Sequence, residues 1–332
     1  MPESLALGVD IGGTKVAAGL VDPRGQIVFK TRRPMVAKRG AEEGLAAVVK
    51  AIDVVLASDA ARENNVTGIG ISTPGYVNPA DGHVVAAANL PCWRDFPLVA
   101  EIAKATKLPV RIDNDGNAAA LAEAIWGAGA GYARVFYITL GTGIGTGIVI
   151  DGRVYHGRTG GAGEGGHLVI NYDGPRCGCG KNGCIEVYAA GPAIARRAQE
   201  KLAARLKGHS RKRALATSKM LELAEGHVPR VTAEIVGKAA MEGDPVATET
   251  LQETADLLSV WLGGIIDLLE PDVIVVGGGL GHLTASFFGY IREQLQRWSI
   301  APRAHEIPIV SAMYGAESGI AGAAALCIEP KA

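Results

Sequence analysis

The chain has 332 residues, a length that suits two domains, with 48% apolar residues, 20% charged residues and a formal net charge of −1. These proportions are typical of a folded globular protein, and the near-neutral charge excludes attraction of nucleic acid or an anionic membrane by overall charge. The N-terminus lacks a signal-peptide pattern and no apolar stretch reaches about 18 residues, so we expect a cytoplasmic protein with no membrane and no nucleic-acid partner.

Two β-runs joined by a glycine turn open the sequence. They span residues 5–10 and 16–21, and the turn lies between them. Glycine lets a chain present several backbone N–H groups to phosphate oxygens. A carboxylate at the strand end, Asp10, is a candidate for holding hydrated Mg²⁺, although a turn-forming aspartate is the alternative interpretation. The candidate phosphate-binding residues of the turn are Gly12, Gly13, Thr14 and Lys15.

A second copy of this hairpin lies at residues 136–154, where Gly141 aligns with Gly12 and Asp151 with Asp22. Two similar hairpins so far apart suggest duplicated domains rather than a solenoid. Neither turn matches a P-loop or a dinucleotide-binding motif, both of which lead into a helix. A tight hairpin without a ligand remains the alternative for each. The candidate phosphate-binding residues of the second turn are Gly141, Thr142 and Gly143.

Helices and strands alternate through the rest of the chain, which favours an α/β class. One predicted helix, residues 117–126, has Asn117 as its expected N-cap. A short apolar strand at residues 273–276 leads into three glycines, of which Gly278 and Gly279 could face a nucleotide at a helix start. Further helices are predicted at residues 42–58, 248–269 and 317–326, and most of residues 192–242 is also predicted to be helical. Further strands are predicted within residues 68–75 and 108–112.

Three motifs together carry a family resemblance. DIGGTK (10–15), LGTGIGTG (140–147) and VVGGGL (275–280) resemble the two phosphate motifs and the adenosine motif of the hexokinase/actin-like ATPase superfamily. Within it, the chain resembles the ROK family (repressor, open reading frame, kinase) over nearly its whole length, and most of all the family's bacterial glucokinases. The resemblance implies an α/β fold of two actin-like, ribonuclease-H-like lobes with a cleft, ATP with Mg²⁺, phosphorylation of glucose at its 6-hydroxyl, and a homodimer.

The last predicted helix is expected to return to the N-terminal lobe, as it does in the resembled fold. We therefore expect an N-terminal lobe of residues 1–116 plus 317–332. The C-terminal lobe would span residues 117–316 and carry the cysteine cluster. Small residues in the last helix permit close packing against another element.

One histidine and three cysteines lie close together in the sequence, enough for a closed tetrahedral zinc (Zn²⁺) site. The candidate ligands are His167, Cys177, Cys179 and Cys184. Free thiols beside an unrelated histidine are the alternative. In the resembled family the histidine ends an E-x-G-H motif, here residues 164–167, where Gly165 replaces a residue that is usually bulky and apolar. The zinc would hold the loop that presents sugar-binding side chains.

The resemblance also assigns the sugar site and the base. The stretch RIDNDGNAAA (111–120) matches the family segment in which the aspartate after asparagine is the general base, so the match falls on Asp115 and leaves Asp113 outside the site. Without the resemblance, each polar residue here is better explained as a turn or cap residue. The stretch ANLPCW (88–93) carries Cys92 where the glucokinases have glycine. The sugar-binding candidates are Ser72, Gly75, Asn89, Asn114, Asp115, Glu164, His167 and Glu186.

Several functions stay open at this stage. Mannose, fructose or N-acetylglucosamine could replace glucose, and polyphosphate could replace ATP. Some family members are sugar-responsive repressors with a helix-turn-helix before the first phosphate motif, for which the residues before Asp10 leave no room. The basic stretch 196–213 is better explained as a solvated face than as a nucleic-acid site.

Overall fold

A computed structural model describes residues 3–207 and 218–328, and the α/β alternation predicted from the sequence is confirmed there. The strands are β1 (Ser4–Ile11), β2 (Lys15–Val21), β3 (Ile27–Pro34), β4 (Asn65–Thr73), β5 (Tyr76–Asn78), β6 (His83–Ala86), β7 (Arg94–Phe96), β8 (Val110–Asn114), β9 (Arg134–Leu140), β10 (Ile144–Ile150), β11 (Arg153–Val154), β12 (Val273–Gly277) and β13 (Ile309–Ser311). The helices are α1 (Ala41–Leu56), α2 (Asp59–Glu63), α3 (Leu98–Thr106), α4 (Asp115–Ile125), α5 (Glu186–Ala189), α6 (Gly191–Arg205), α7 (Lys219–Leu223), α8 (Ala233–Met241), α9 (Pro245–Leu269), α10 (Gly281–Thr284), α11 (Phe288–Trp298) and α12 (Ser318–Ala325). Short 3₁₀ turns are Gly165–His167, Val228–Arg230, Ala285–Phe287, Ala304–Glu306 and Gly315–Glu317.

The chain forms two compact units. The first comprises Met1–Tyr137, Thr146–Gly163 and Ala312–Ala332, and the second comprises Ile138–Gly145 and Glu164–Ser311. The lobe boundaries expected from the sequence, at residues 116 and 317, differ from these limits and stay a prediction.

The first unit is built on a five-stranded sheet with the order β3-β2-β1-β4-β8. β1 pairs antiparallel with β2 and parallel with β4, so the first predicted hairpin is confirmed. The central strand β1 is an almost continuous apolar run because helices cover both of its faces. The edge strand β3 alternates exposed with half-buried residues and exposes charged side chains, which protects the edge from pairing with another chain.

Helices α1 and α3 cover one face of this sheet, and the main apolar core of the first unit lies between them and the strands. Helix α12 covers the other face, beside α4. Its backbone lies directly on the strands because the sheet has glycine there: a Cβ on Gly8 would collide with Ile320 O, and one on Gly70 with Ala323 O. The C-terminal helix is thus part of the first unit's core.

A second five-stranded sheet has the order β11-β10-β9-β12-β13, and β5, β6 and β7 form a small antiparallel sheet. Strand β12 is buried throughout and runs parallel to β13. The longest helix of the described residues, α9, begins with Asp244 as its N-cap, whose Oδ1 accepts from Val246 N and Ala247 N. Among the described helices, none has the length and apolarity needed to cross a bilayer.

The predicted start of α4 was wrong. The helix begins at Asp115, and its N-cap is Asn114, whose Oδ1 accepts from Gly116 N at 2.8 Å. Asn117 lies inside the first turn and is buried, where its amide donates to Asp113. Both asparagines suit a cap, and only the tertiary contacts decide between them. Part of the basic stretch 196–213 lies outside the described residues.

Candidate functional site

The loop from β8 into α4 presents Asp115 as the exposed first residue of the helix. Asn114 fixes this loop with both ends of its amide, since Oδ1 caps the helix and Nδ2 donates to Gly75 O at 3.0 Å. Gly75 follows β4 and has φ of 92°, a conformation that favours glycine. Three of the predicted sugar-site residues, Gly75, Asn114 and Asp115, are therefore close together in the first unit.

Asp113 is only 2% exposed and is bound on both oxygens. Its Oδ1 accepts from Asn114 N at 2.7 Å and from Asn117 Nδ2 at 2.9 Å, and its Oδ2 lies 2.6 Å from His156 Nε2. The hydrogen bond to Asp113 raises the pKa of His156. Sequence reasoning did not find His156, because no motif joins it to a partner 43 residues away.

The β1–β2 turn is closed by Gly12 N donating to Lys15 O at 2.9 Å, and it exposes Thr14 and Lys15. Asp10, just before this turn, accepts from Ser72 Oγ at 3.4 Å. Burial raises the pKa of Asp10, against the opposing effects of Ser72 and Lys15. A cation beside this carboxylate would favour its ionised form.

Asn89 lies against the same turn. A Cβ on Gly13 would stand 2.6 Å from Asn89 O, so glycine is what allows the two segments to approach. The first unit therefore brings together a predicted phosphate turn, the predicted magnesium carboxylate and three sugar-site candidates, Ser72, Asn89 and Gly75.

The second unit contains a cavity of 680 Å³ whose walls include Gly141, Thr142 and Gly279. Gly141 O accepts from Gly191 N at 2.8 Å, and Leu140 O accepts from Leu280 N at 2.9 Å. The first bond joins the predicted second phosphate turn to the start of α6, and the second joins the strand before that turn to the predicted adenosine motif. Gly143 and Gly278 do not line the cavity themselves, but they are next in sequence to the lining residues Thr142 and Gly279. The remaining lining residues are Gly191, Pro192, Ala195, Arg196, Gln199, Pro229, Val231, Thr232, Ala233, Glu234 and Leu280.

Sequence reasoning missed most of this wall. Two of its segments are helix starts: α6 has Pro192 in its first turn, and α8 has Thr232 as its N-cap, with Oγ1 accepting from Ile235 N. Proline in a first turn and threonine at a cap are readable signals of helix starts. Helix N-termini favour anionic groups, so this cavity suits a phosphorylated ligand. Nothing in the sequence indicates that the two helices begin beside one another.

The four predicted zinc ligands form one cluster in the second unit. Their ligand atoms all lie within 4.8 Å of one another. Cys177 Sγ is 3.6 Å from His167 Nδ1, and Cys179 Sγ is 3.6 Å from Cys184 Sγ. Tetrahedral zinc, with bonds of about 2.3 Å to sulfur and 2.0–2.1 Å to nitrogen, places its ligand atoms about 3.5–3.8 Å apart. The geometry therefore fits this metal.

The chemistry of the donors agrees with the geometry. Burial raises the pKa of Cys177 and raises that of Cys184 to about 12, so both thiols stay protonated unless a cation displaces the protons. Cys179 is exposed, and a backbone N–H of Lys181 lowers its pKa. Three thiols and one imidazole leave no open position for a reacting molecule.

Glu186 connects this cluster to the second phosphate turn. Its Oε2 accepts from Ile144 N at 3.0 Å, and its Oε1 lies 3.7 Å from Cys177 Sγ and 3.9 Å from His167 Nδ1. Glu164, which is exposed, precedes the 3₁₀ turn Gly165–His167. Buried Trp261 donates from Nε1 to Gly165 O at 3.1 Å and so fixes this turn at the position where the sequence departs from the family pattern.

The ROK family model matches residues 6–329. This chain belongs to the ROK family. It is 36% identical to a glucokinase of Streptomyces coelicolor over 332 residues, which cover 98% of each protein. It is 33% identical to an N-acetyl-D-glucosamine kinase of Citrobacter koseri, over 96% of this chain and 98% of the relative.

A solved ROK glucokinase of Streptomyces griseus, in complex with glucose and AMPPNP, has a TM-score of 0.78 and 36% identity over 97% of this chain and 99% of that one. The actin-like α/β fold that the ROK motifs predicted is thereby confirmed.

Proposed function

We propose that this ROK protein transfers the γ-phosphoryl group of ATP to the 6-hydroxyl of glucose. The observation that carries the proposal is the 680 Å³ cavity whose walls include residues of both predicted nucleotide motifs, Gly141 and Gly279. The similarity to the Streptomyces glucokinases, one of them in complex with glucose and AMPPNP, supports glucose and ATP as the substrates.

Asp115 is the proposed general base, because phosphoryl transfer to a hydroxyl needs a group that takes up its proton. Asp115 is the exposed first residue of α4, whereas Asp113 is buried and both of its oxygens are bound. The proposed sugar ligands hold the hydroxyls by hydrogen bonds and fix the acceptor oxygen in line with the phosphate. They are Ser72, Gly75, Asn89, Asn114, Glu164, His167 and Glu186.

Two turns would bind the phosphates through backbone N–H groups, since their glycines leave the backbone unobstructed. The first turn comprises Gly12, Gly13, Thr14 and Lys15, and the second comprises Gly141, Thr142 and Gly143. Gly278 and Gly279 would lie beside the adenosine of the nucleotide. Asp10 would hold Mg²⁺, and the bound ion would supply positive charge to neutralise the charge that develops on the phosphates during transfer.

The zinc ligands His167, Cys177, Cys179 and Cys184 are proposed to hold one structural Zn²⁺. The metal would fix the segment that carries Glu186, whose Oε2 also binds the second phosphate turn. A homodimer and a cytoplasmic location also stay predictions.

A second candidate substrate is N-acetylglucosamine, because a kinase for that sugar is 33% identical to this chain over nearly its full length. The deciding experiment supplies purified protein with ATP and Mg²⁺ and compares glucose, mannose, fructose, N-acetylglucosamine and N-acetylmannosamine, with polyphosphate as an alternative donor. Product formation is followed by ADP release and by coupled detection of glucose 6-phosphate. We expect the largest kcat/KM for glucose. Absence of turnover on every sugar with both donors would refute the kinase proposal.

A further inference from the structure

The proposed chemistry makes no use of one buried carboxylate beside the base. Asp113 is the next-to-last residue of β8, two residues before Asp115, and is almost completely shielded from solvent. A buried carboxylate is tolerated only when donors bind its oxygens, so each of its partners matters. His156 is one of three donors on it, and the proposed mechanism has no role for this histidine.

The two oxygens of Asp113 have different partners. Oδ1 binds Asn114 N, directly before Asp115, and Asn117 Nδ2, two residues after it. The orientation of the Asp113 side chain therefore fixes the chain on both sides of the proposed base. Oδ2 lies 2.6 Å from His156 Nε2, which is a short hydrogen bond to a carboxylate.

His156 comes from the segment that follows β11. Its side chain is 34% exposed and lines a cavity of 450 Å³ together with Tyr76 and Arg158. Tyr76 donates from its hydroxyl to Thr159 O at 2.5 Å, which anchors this segment next to the turn after β4. The segment that carries His156 is thus anchored through Thr159, while His156 Nε2 binds Asp113.

We propose that His156 is a positioning residue for phosphoryl transfer: its bond to Asp113 Oδ2 fixes the carboxylate that holds the start of α4, and with it Asp115. The inference rests on the proposed function, in which Asp115 is the base. Without His156, Oδ2 is left buried and loses its donor, so the side chain rotates or takes up a proton. A displacement of about 1 Å at a reacting group costs on the order of 10²-fold in rate.

Three variants separate the hydrogen bond from the ring. In His156→Gln, the amide nitrogen can occupy the place of Nε2 and donate to Asp113, whereas in His156→Asn the shorter side chain cannot reach, and His156→Ala has no donor. We expect His156→Asn and His156→Ala to lower kcat about 10–100-fold while KM for glucose stays within about threefold, and His156→Gln to keep most of the wild-type kcat. Melting temperatures and glucose binding are measured in parallel.

Wild-type kcat in His156→Asn and His156→Ala would overturn the inference while leaving the proposed function intact. The same holds if His156→Gln loses as much kcat as His156→Ala, or if the variants raise KM without lowering kcat. Should His156→Ala fail to fold, the comparison of His156→Gln with His156→Asn decides by the same criteria. A wild-type protein that is inactive on every sugar tested, with both donors, would overturn the proposed function and this inference with it.

Discussion

Replacement of Asp115 by asparagine separates a proton acceptor from a residue that shapes the start of α4. The helix cap belongs to Asn114, so it is not removed. Asp115 Oδ1 accepts from Gly116 N at 2.9 Å, and an asparagine oxygen can accept the same bond. Because position 115 is exposed, the exchange buries no unpaired group. The fold should therefore tolerate Asp115→Asn.

The expected costs differ enough to distinguish the two roles. Loss of one negative charge in a first helical turn costs about 0.3–1 kcal/mol, which shifts the melting temperature by at most about 4 °C in a protein of this size. Loss of a general base lowers kcat about 10²–10⁴-fold, which corresponds to about 3–5 kcal/mol of activation free energy. The effect on catalysis should thus exceed the effect on stability several-fold.

The assay compares kcat, glucose affinity and melting temperature of wild type and Asp115→Asn. Asp59→Asn is a matched control, since Asp59 is also an exposed first helical residue after a capping side chain, that of Ser58. It should keep wild-type kcat. Asp113→Asn is a poor control because its buried carboxylate has three partners. Wild-type kcat in Asp115→Asn, or a large loss of stability with it, would refute the reasoning.

Three further predictions follow from single contacts. Protein purified without added metal should carry about one zinc per chain. Cys179→Ser should lose the zinc and melt at a lower temperature, whereas the control Cys92→Ser should retain it. Wild-type protein without metal would contradict the proposed zinc site. Gly319→Ala would place a Cβ 2.5 Å from Asp10 Oδ2, so kcat with ATP and Mg²⁺ should fall about tenfold or more. The control Gly264→Ala should leave kcat unchanged, because a Cβ there meets nothing within 4 Å. Deletion of the residues after Tyr314 removes α12 from the first sheet and should reduce hydrogen-exchange protection over residues 5–75. The control is a chain that ends at Ile328 and keeps α12. Equal protection in the two chains would contradict the prediction.

Much of the candidate site was predicted from the local pattern of residues. Glycine turns at residues 12–13 and 141–143 are readable because backbone N–H groups can face a phosphate only where side chains leave room. The zinc cluster is readable for a similar reason, since three closely spaced cysteines have few other uses outside a disulfide framework. These features depend on residues that are neighbours in the chain.

Other features required the tertiary structure, because their partners are far apart in the sequence. The cap of α4 is Asn114 and not Asn117 because Asn117 is buried and its amide donates to Asp113. The glycines that let α12 lie on β1 and β4 carry no local signal. Two helix starts meet at the nucleotide-sized cavity only in the folded chain. Local motifs thus predicted the candidate reacting groups, whereas long-range packing decided which side chains lie around them.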